Sequence, residues 1–280
     1  MRLGASPYGS DRASALTLAD AIVAAGLDTL WLGDGIFRRP DFAGWRGGLE
    51  SMTELAWFAG RHPGMRVGIT AAVLPLRDID WLAREAATLD HLTEGRFVLA
   101  VAAGFWDDEL AYRGVDPAQR GPELRRRLAT LRHHLSDGDD AQGGGRLSPA
   151  AFSPGGPPIW LAGGPATMRL ALAQGLPFQA SRALPGELAP TAKRWFDQGG
   201  GLLAHRIYVE ASGSRQGHVP DGVQVQRHVL TGSAQALVDG LAAYRDMGVG
   251  DLSLVLGHDD ASARRTLEVL AIDVLPALGG

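Results

Sequence analysis

The sequence predicts a single-domain (β/α)8 barrel, and three observations carry the prediction. A unit of helix, glycine and strand recurs along the chain. The strands are continuous apolar runs, the mark of strands covered on both faces in a parallel sheet. At 280 residues the chain has room for eight such units.

The elements follow in order. "RLGA" supplies a first strand at 2–5. "ADAIVAAGLDTLWLGD" reads as an amphipathic helix, Gly26 as its left-handed C-terminal cap, and a strand at 29–33. "ELAWFAGRHPGMRVGITAAVLP" repeats the pattern with a strand at 66–73, and "AREAATLDHLTEGRFVLAVAAG" with one at 97–102. Shorter versions, "GGPPIWLAGG", "LALAQGLPFQAS" and "FDQGGGLLAHRIYVE", place strands at 159–162, 177–180 and 204–210. "AAYRDMGVGDLSLVLG" closes the series with an eighth strand at 251–256. A doubly wound open sheet would want a glycine fingerprint after its first strand, and "GASPYGS" does not provide one. The polar, Gly- and Pro-rich run 136–158 breaks the rhythm and reads as a surface excursion, either a lid or a plain connector.

Composition narrows the function. A hydrophobic content of 45% is enough for a core, and a net charge of −4 argues against nucleic acid as the partner. With no cysteine the chain has no disulfide, no thiolate zinc site and no Cys nucleophile, which fits the cytoplasm. "MRLGASPYG" lacks the pattern of a signal peptide, and no apolar run is long enough to span a bilayer. The expected partner is a small-molecule substrate. No His and carboxylate spacing suggests a metal, and no G-x-S-x-G suggests a serine hydrolase.

In a barrel, chemistry sits at the C-terminal ends of the strands. That filter keeps Ser6 and Tyr8, Asp34, Ala71 to Arg77, Gly104 to Asp108, Gly163 to Thr167, Ser181 with Arg182, Glu210, and His258 with Asp259. In "WLAGGPATMRLALA" two glycines precede a helix opened by Pro165, a geometry that suits a phosphate and equally an ordinary turn. Asp34 reads as a general base, a ligand for a polar group, or a turn former. His258 reads as a solvated residue beside Asp260, the cap of the last helix.

The stretch "GITAAVLPLRDIDWLAREAATLDHLTEGRFVLAVAAGFWDDELAYRGVD" (68–116) resembles the signature region of the bacterial luciferase-like superfamily, flavin- or deazaflavin-dependent oxidoreductases built on this barrel. "PPIWLAGGPATMRLALAQGLPF" is similar to the family's fifth-strand unit, and "VLTGSAQALVDGLAAYRDMGVGDLSLVL" to its closing repeat. The resemblance implies that Gly163, Gly164 and Thr167 surround the cofactor phosphate. It implies that Ala71, Ala72 and Val73 form a bulge with a non-proline cis peptide behind the flavin ring, bordered by Ala102, Ala103 and Gly104. Trp31, Phe37, Phe105 and Trp106 would line an apolar substrate pocket, Arg38, Arg39 and Arg182 would meet an anionic cofactor tail, and Asp34 as the catalytic residue would orient the substrate or relay a proton. Family members are often homodimers.

The departures matter too. Where luciferases and many deazaflavin dehydrogenases carry a histidine after the second-strand acid, this chain has Gly35. Ala103 stands where luciferases place a basic residue, and Gly163 and Gly164 where they place an acid and a serine. Luminescence chemistry is therefore not expected. The resemblance implies hydride transfer between coenzyme F-420 and a small organic substrate, with an FMN-dependent monooxygenase or a flavin-binding protein without turnover as alternatives.

Overall fold

The structure, a computed structural model, describes residues 1–37, 48–136, 147–212 and 229–279. Its strands are β1 (Arg2–Ser6), β2 (Thr29–Leu32), β3 (Arg66–Val73), β4 (Phe97–Ala102), β5 (Ile159–Ala162), β6 (Phe178–Ser181), β7 (Leu203–Ala211), β8 (Val229–Gly232) and β9 (Val249–Leu256). The sheet order is β6-β5-β4-β3-β2-β1-β9-β7-β8 with a further β6–β7 pairing, so eight of these strands form the closed parallel ring of a (β/α)8 barrel.

The eight expected strands are all present, and one is added. β8 was not expected as a strand, because "VLTG" is short and half-exposed. It pairs parallel with Tyr208–Ala211, the outer half of β7, while β6 pairs with Leu203–Arg206, the inner half. β7 is long enough to serve two neighbours on one edge and β9 on the other.

Local chemistry explains the helices. Asp11, Glu50, Asp78 and Ser233 each cap a helix through the side chain: α1 (Arg12–Ala24), α2 (Ser51–Arg61), α3 (Ile79–Leu92) and α8 (Ala234–Asp246). The other long helices are α4 (Asp107–Tyr112), α5 (Arg120–Leu135), α6 (Pro165–Gln174), α7 (Pro185–Asp197) and α9 (Asp260–Val269). α6 ends on Gly175 at φ 62, the left-handed cap that the glycine pattern anticipates. The cap of α9 is Asp259 and not Asp260: Asp259 bonds Ser262 N–H, while Asp260 accepts from the Ser10 N–H at 2.8 Å.

The described residues pack as two compact units. One contains residues 1–31, 163–212 and 229–279, the other residues 32–37, 49–136 and 147–162. In the second unit, the described part of the 136–158 excursion has no regular element and is pinned to α3. Asp90 accepts from Ser153 N–H at 2.6 Å and from its hydroxyl at 3.0 Å, and the His91 ring bonds Ala150 O at 2.8 Å.

In the first unit the two sheet faces differ. Phe178 lies against Trp195 of α7 and His205 against Tyr244 of α8, so this set of positions faces the helices. The alternate set faces inward, and it holds Gly4, Ser6, Arg206, Tyr208 and Ser253. Gly4 is a glycine for a steric reason: a Cβ there would lie 2.5 Å from Trp31 Nε1, and Trp31 is fully buried.

Candidate functional site

In the second unit, the exits of β2, β3 and β4 are tied together. Asp34, just past β2, has a side chain only 6% exposed. Its Oδ2 accepts from the Val73 backbone N–H at 2.9 Å and from Arg77 Nε at 3.1 Å, and its Oδ1 from Arg77 Nη2 at 2.6 Å. Arg77 also pairs with Glu50 at 2.8 Å. Burial works against the Arg77 charge, but the Asp34 and Glu50 carboxylates outweigh it and push the pKa up. Both oxygens of Asp34 are thus engaged by a bidentate cation and a strand amide, the geometry of a positioning carboxylate.

Between Ile69 and Ala72 the β3–β4 register shifts, and the Thr70–Ala71 peptide is cis. Ala71 and Ala102 to Gly104 are partly exposed small residues, while Ala72 and Val73 are buried. Gly104 has φ 92, and a Cβ on it would sit 2.9 Å from Val73 Cγ1. Glycine is therefore required both by the backbone and by the close approach of β3. The result is a low shelf of backbone and methyl groups at the ends of β3 and β4.

The same unit carries partly exposed aromatic pairs. Phe105, 58% exposed, meets Trp106 edge-on at 4.9 Å, and Phe37 meets Tyr112 at 5.1 Å. The segment holding Phe37 is fixed by Glu109, a buried acid whose Oε1 accepts from Ile36 N–H and Phe37 N–H, both at 2.9 Å. Arg120 bonds Gly104 O at 3.1 Å and pairs with Asp107. The structure thus brings Asp34, Phe37, the Ala71–Val73 bulge, Ala103, Gly104, Phe105 and Trp106 into one unit. Glu109 escapes a reading of the sequence because "DDEL" presents it as one acid among three in a helical first turn.

In the first unit, Gly163 and Gly164 are exposed and lead into α6 at Pro165, with no side chain capping the helix start. A Cβ on Gly163 would meet Thr167 Oγ1 at 2.6 Å, and one on Gly164 would meet nothing within 4 Å. This is open backbone at a helix N-terminus, which suits an anion. On the inner face, Arg206 Nη2 donates to the Tyr8 hydroxyl at 2.9 Å. Arg182, at φ 60, donates its N–H to Arg206 O at 2.8 Å. His258 Nδ1 lies 2.8 Å from Glu210 Oε1, so it is paired and not merely solvated. Arg206 is missing from the list of strand-end candidates because it lies inside β7; an arginine in the middle of a parallel strand was the available signal. Arg38 and Arg39 lie outside the described residues, and no metal-holding group occurs among the described ones.

In a parallel barrel the C-terminal ends of the strands are where a functional site is expected, and these groups stand there. The chain belongs to the luciferase-like monooxygenase family, whose profile matches residues 2–199. It is 36% identical over 130 residues to a 4-hydroxyprotoasukamycin monooxygenase of Streptomyces nodosus subsp. asukaensis, a match covering 45% of this chain and 32% of that protein. Among solved structures, a monooxygenase of Streptomyces bottropensis superposes with a TM-score of 0.82 at 16% identity, covering 99% of each chain. An F420-dependent secondary alcohol dehydrogenase gives 0.79 at 16%, covering 99% of this chain and 98% of that one. The oxygenating constituent of 3,6-diketocamphane monooxygenase from Pseudomonas putida, in complex with FMN, gives 0.73 at 17%, with the same coverages. At these identities the superpositions speak for the fold alone. The chain spans about a third of the length of the curated monooxygenase it matches.

Proposed function

We propose that the protein is an F-420-dependent oxidoreductase acting on a small organic substrate. The observation that carries this reading is the shelf at the ends of β3 and β4. Ala71 and Ala102 to Gly104, backed by the buried Ala72 and Val73, present little beyond backbone and methyl groups, which suits the face of a flat tricyclic ring. Asp34 and Arg77 hold that shelf in place through the Val73 amide, so Asp34 serves positioning and not proton transfer. Phe37, Phe105 and Trp106 would exclude water and pack against an apolar substrate. Gly163, Gly164 and Thr167 would receive a phosphate group through backbone N–H groups at the start of α6. When bound, the deazaflavin supplies a hydride donor or acceptor, and the residues here provide orientation and a dry surface.

A second reading keeps the enzyme and replaces the cofactor with reduced FMN and dioxygen. The match to a curated monooxygenase favours it. Titrating the protein with F-420 and with FMN, followed by fluorescence, tests both. F-420 binding with hydride exchange on a substrate panel supports the first reading. FMN binding alone supports the second, and binding of F-420 without exchange on any substrate leaves a carrier protein.

A further inference from the structure

We propose that the inner face of β1, β7 and β9 is a carboxylate-binding subsite, in which Arg206 and Tyr8 grip the anionic end of the substrate. The proposal deepens the oxidoreductase reading and rests on it for the word substrate.

Register places the groups. Gly4, Ser253 and Arg206 are partners across β1, β9 and β7, and Ser6, Val255 and Tyr208 form the next row toward the C-terminal ends. Residues in register on parallel strands point to the same face. Tyr8 packs on Tyr208 and Val255 above these rows. Arg206 therefore rises past the Ser6 row, where its Nη2 reaches the Tyr8 hydroxyl at 2.9 Å and its guanidinium carbon lies 5.8 Å from the Tyr8 ring centre.

Two hydroxyls on this face are incomplete. Ser6 and Ser253 are each 1% exposed, and neither Oγ has a hydrogen-bond partner among the described residues. A buried hydroxyl with nothing to bond is unfavourable, so a polar guest is expected beside it. The donors suit an anion. A phenol that accepts from a guanidinium keeps its own O–H to donate, and an arginine offers a planar fork matched to a carboxylate. The Arg182 backbone bonds Arg206 O, and both guanidinium charges act on the Tyr208 phenol. The opposite occupant, a cofactor phosphate, is the competing guest that the test must separate.

The test uses the full chain without added cofactor, titrated calorimetrically with benzoate, benzamide and inorganic phosphate. Benzoate should saturate and bind roughly tenfold or more tightly than benzamide, because only the acid meets the charged fork. Arg206→Met should remove that preference. Tyr8→Phe should weaken benzoate roughly threefold to tenfold with Tm near wild type, which keeps the test valid if Arg206→Met does not fold. F-420 and FMN affinities should be unchanged in Tyr8→Phe. Equal binding of acid and amide, no saturation by benzoate, or unaltered benzoate binding in Tyr8→Phe and Arg206→Lys overturns the proposal. So does phosphate binding above benzoate coupled to weaker cofactor binding in the variants. If neither cofactor binds but acid is still preferred to amide, the oxidoreductase reading fails alone.

Discussion

The two compact units use different strands of one kind, parallel and largely apolar, to make surfaces of different character. In residues 32–37, 49–136 and 147–162 the sheet is apolar on both faces: Ile69, Leu99, Ala100, Val101 and Leu161 are fully buried, and its strands bury Thr70 alone among polar residues. The polar groups there stand at the strand exits and serve to hold a bare shelf. In residues 1–31, 163–212 and 229–279 the polarity enters the sheet itself, as Ser6, Thr29, Gln179, His205, Asp251 and Ser253 are all buried. On the proposed reading, one unit receives a flat ring and the other the oxygen atoms of a carboxylate. The difference shows that a parallel strand can carry polarity inward when its neighbours in register do the same.

The sharpest way to break the comparison is to remove the carboxylate that fixes the shelf. Asp34→Ala leaves the largely buried Arg77 without its bidentate partner and the Val73 amide without an acceptor. It should cost about 3 kcal/mol in a denaturant titration, discounted because Glu50 remains beside Arg77. Cofactor affinity should fall with it. Stability equal to wild type would show that the shelf does not depend on this pair.

In the other unit, the corresponding probe is His205. Burial lowers its pKa to about 4, although Nε2 bonds Ala183 O at 2.9 Å. The folded pKa lies below the unfolded value of about 6.5, so the unfolded chain binds the extra proton between these two values. Stability is therefore complete above roughly pH 6.5 and falls as the pH drops toward 4, by roughly 2 to 3 kcal/mol. Urea midpoints at pH 7, 5 and 4 measure the slope, and His205→Gln should flatten it. An unchanged slope in that variant would assign the acid sensitivity elsewhere.

Smaller effects refine the shelf. Gly104→Ala forces a side chain into a left-handed backbone against Val73 and should cost about 1 to 2 kcal/mol, with weaker cofactor binding. Glu109→Gln keeps one acceptor oxygen for the Ile36 and Phe37 amides. It should cost no more than about 1 kcal/mol, seen mainly as faster amide exchange at those two residues.

The barrel was legible in the sequence because helix, glycine and continuous apolar strand are local patterns, and each fixes one unit without knowledge of the others. Asp34 was legible as an acid at a strand exit, and the Ala71–Val73 bulge through a family resemblance. The roles were not. Asp34 is 43 residues from Arg77 in sequence, and the bidentate contact between them exists only after β2 and β3 are adjacent. Arg206 shows the same limit: inside "AHRIYVE" it is one charge in a strand, and 198 residues separate it from Tyr8. The sequence by itself determined eight of the nine described strands, their parallel order of appearance and the small residues at their ends. Tertiary structure alone decided which polar groups share an inner face, because register between distant strands sets that and no local pattern encodes it.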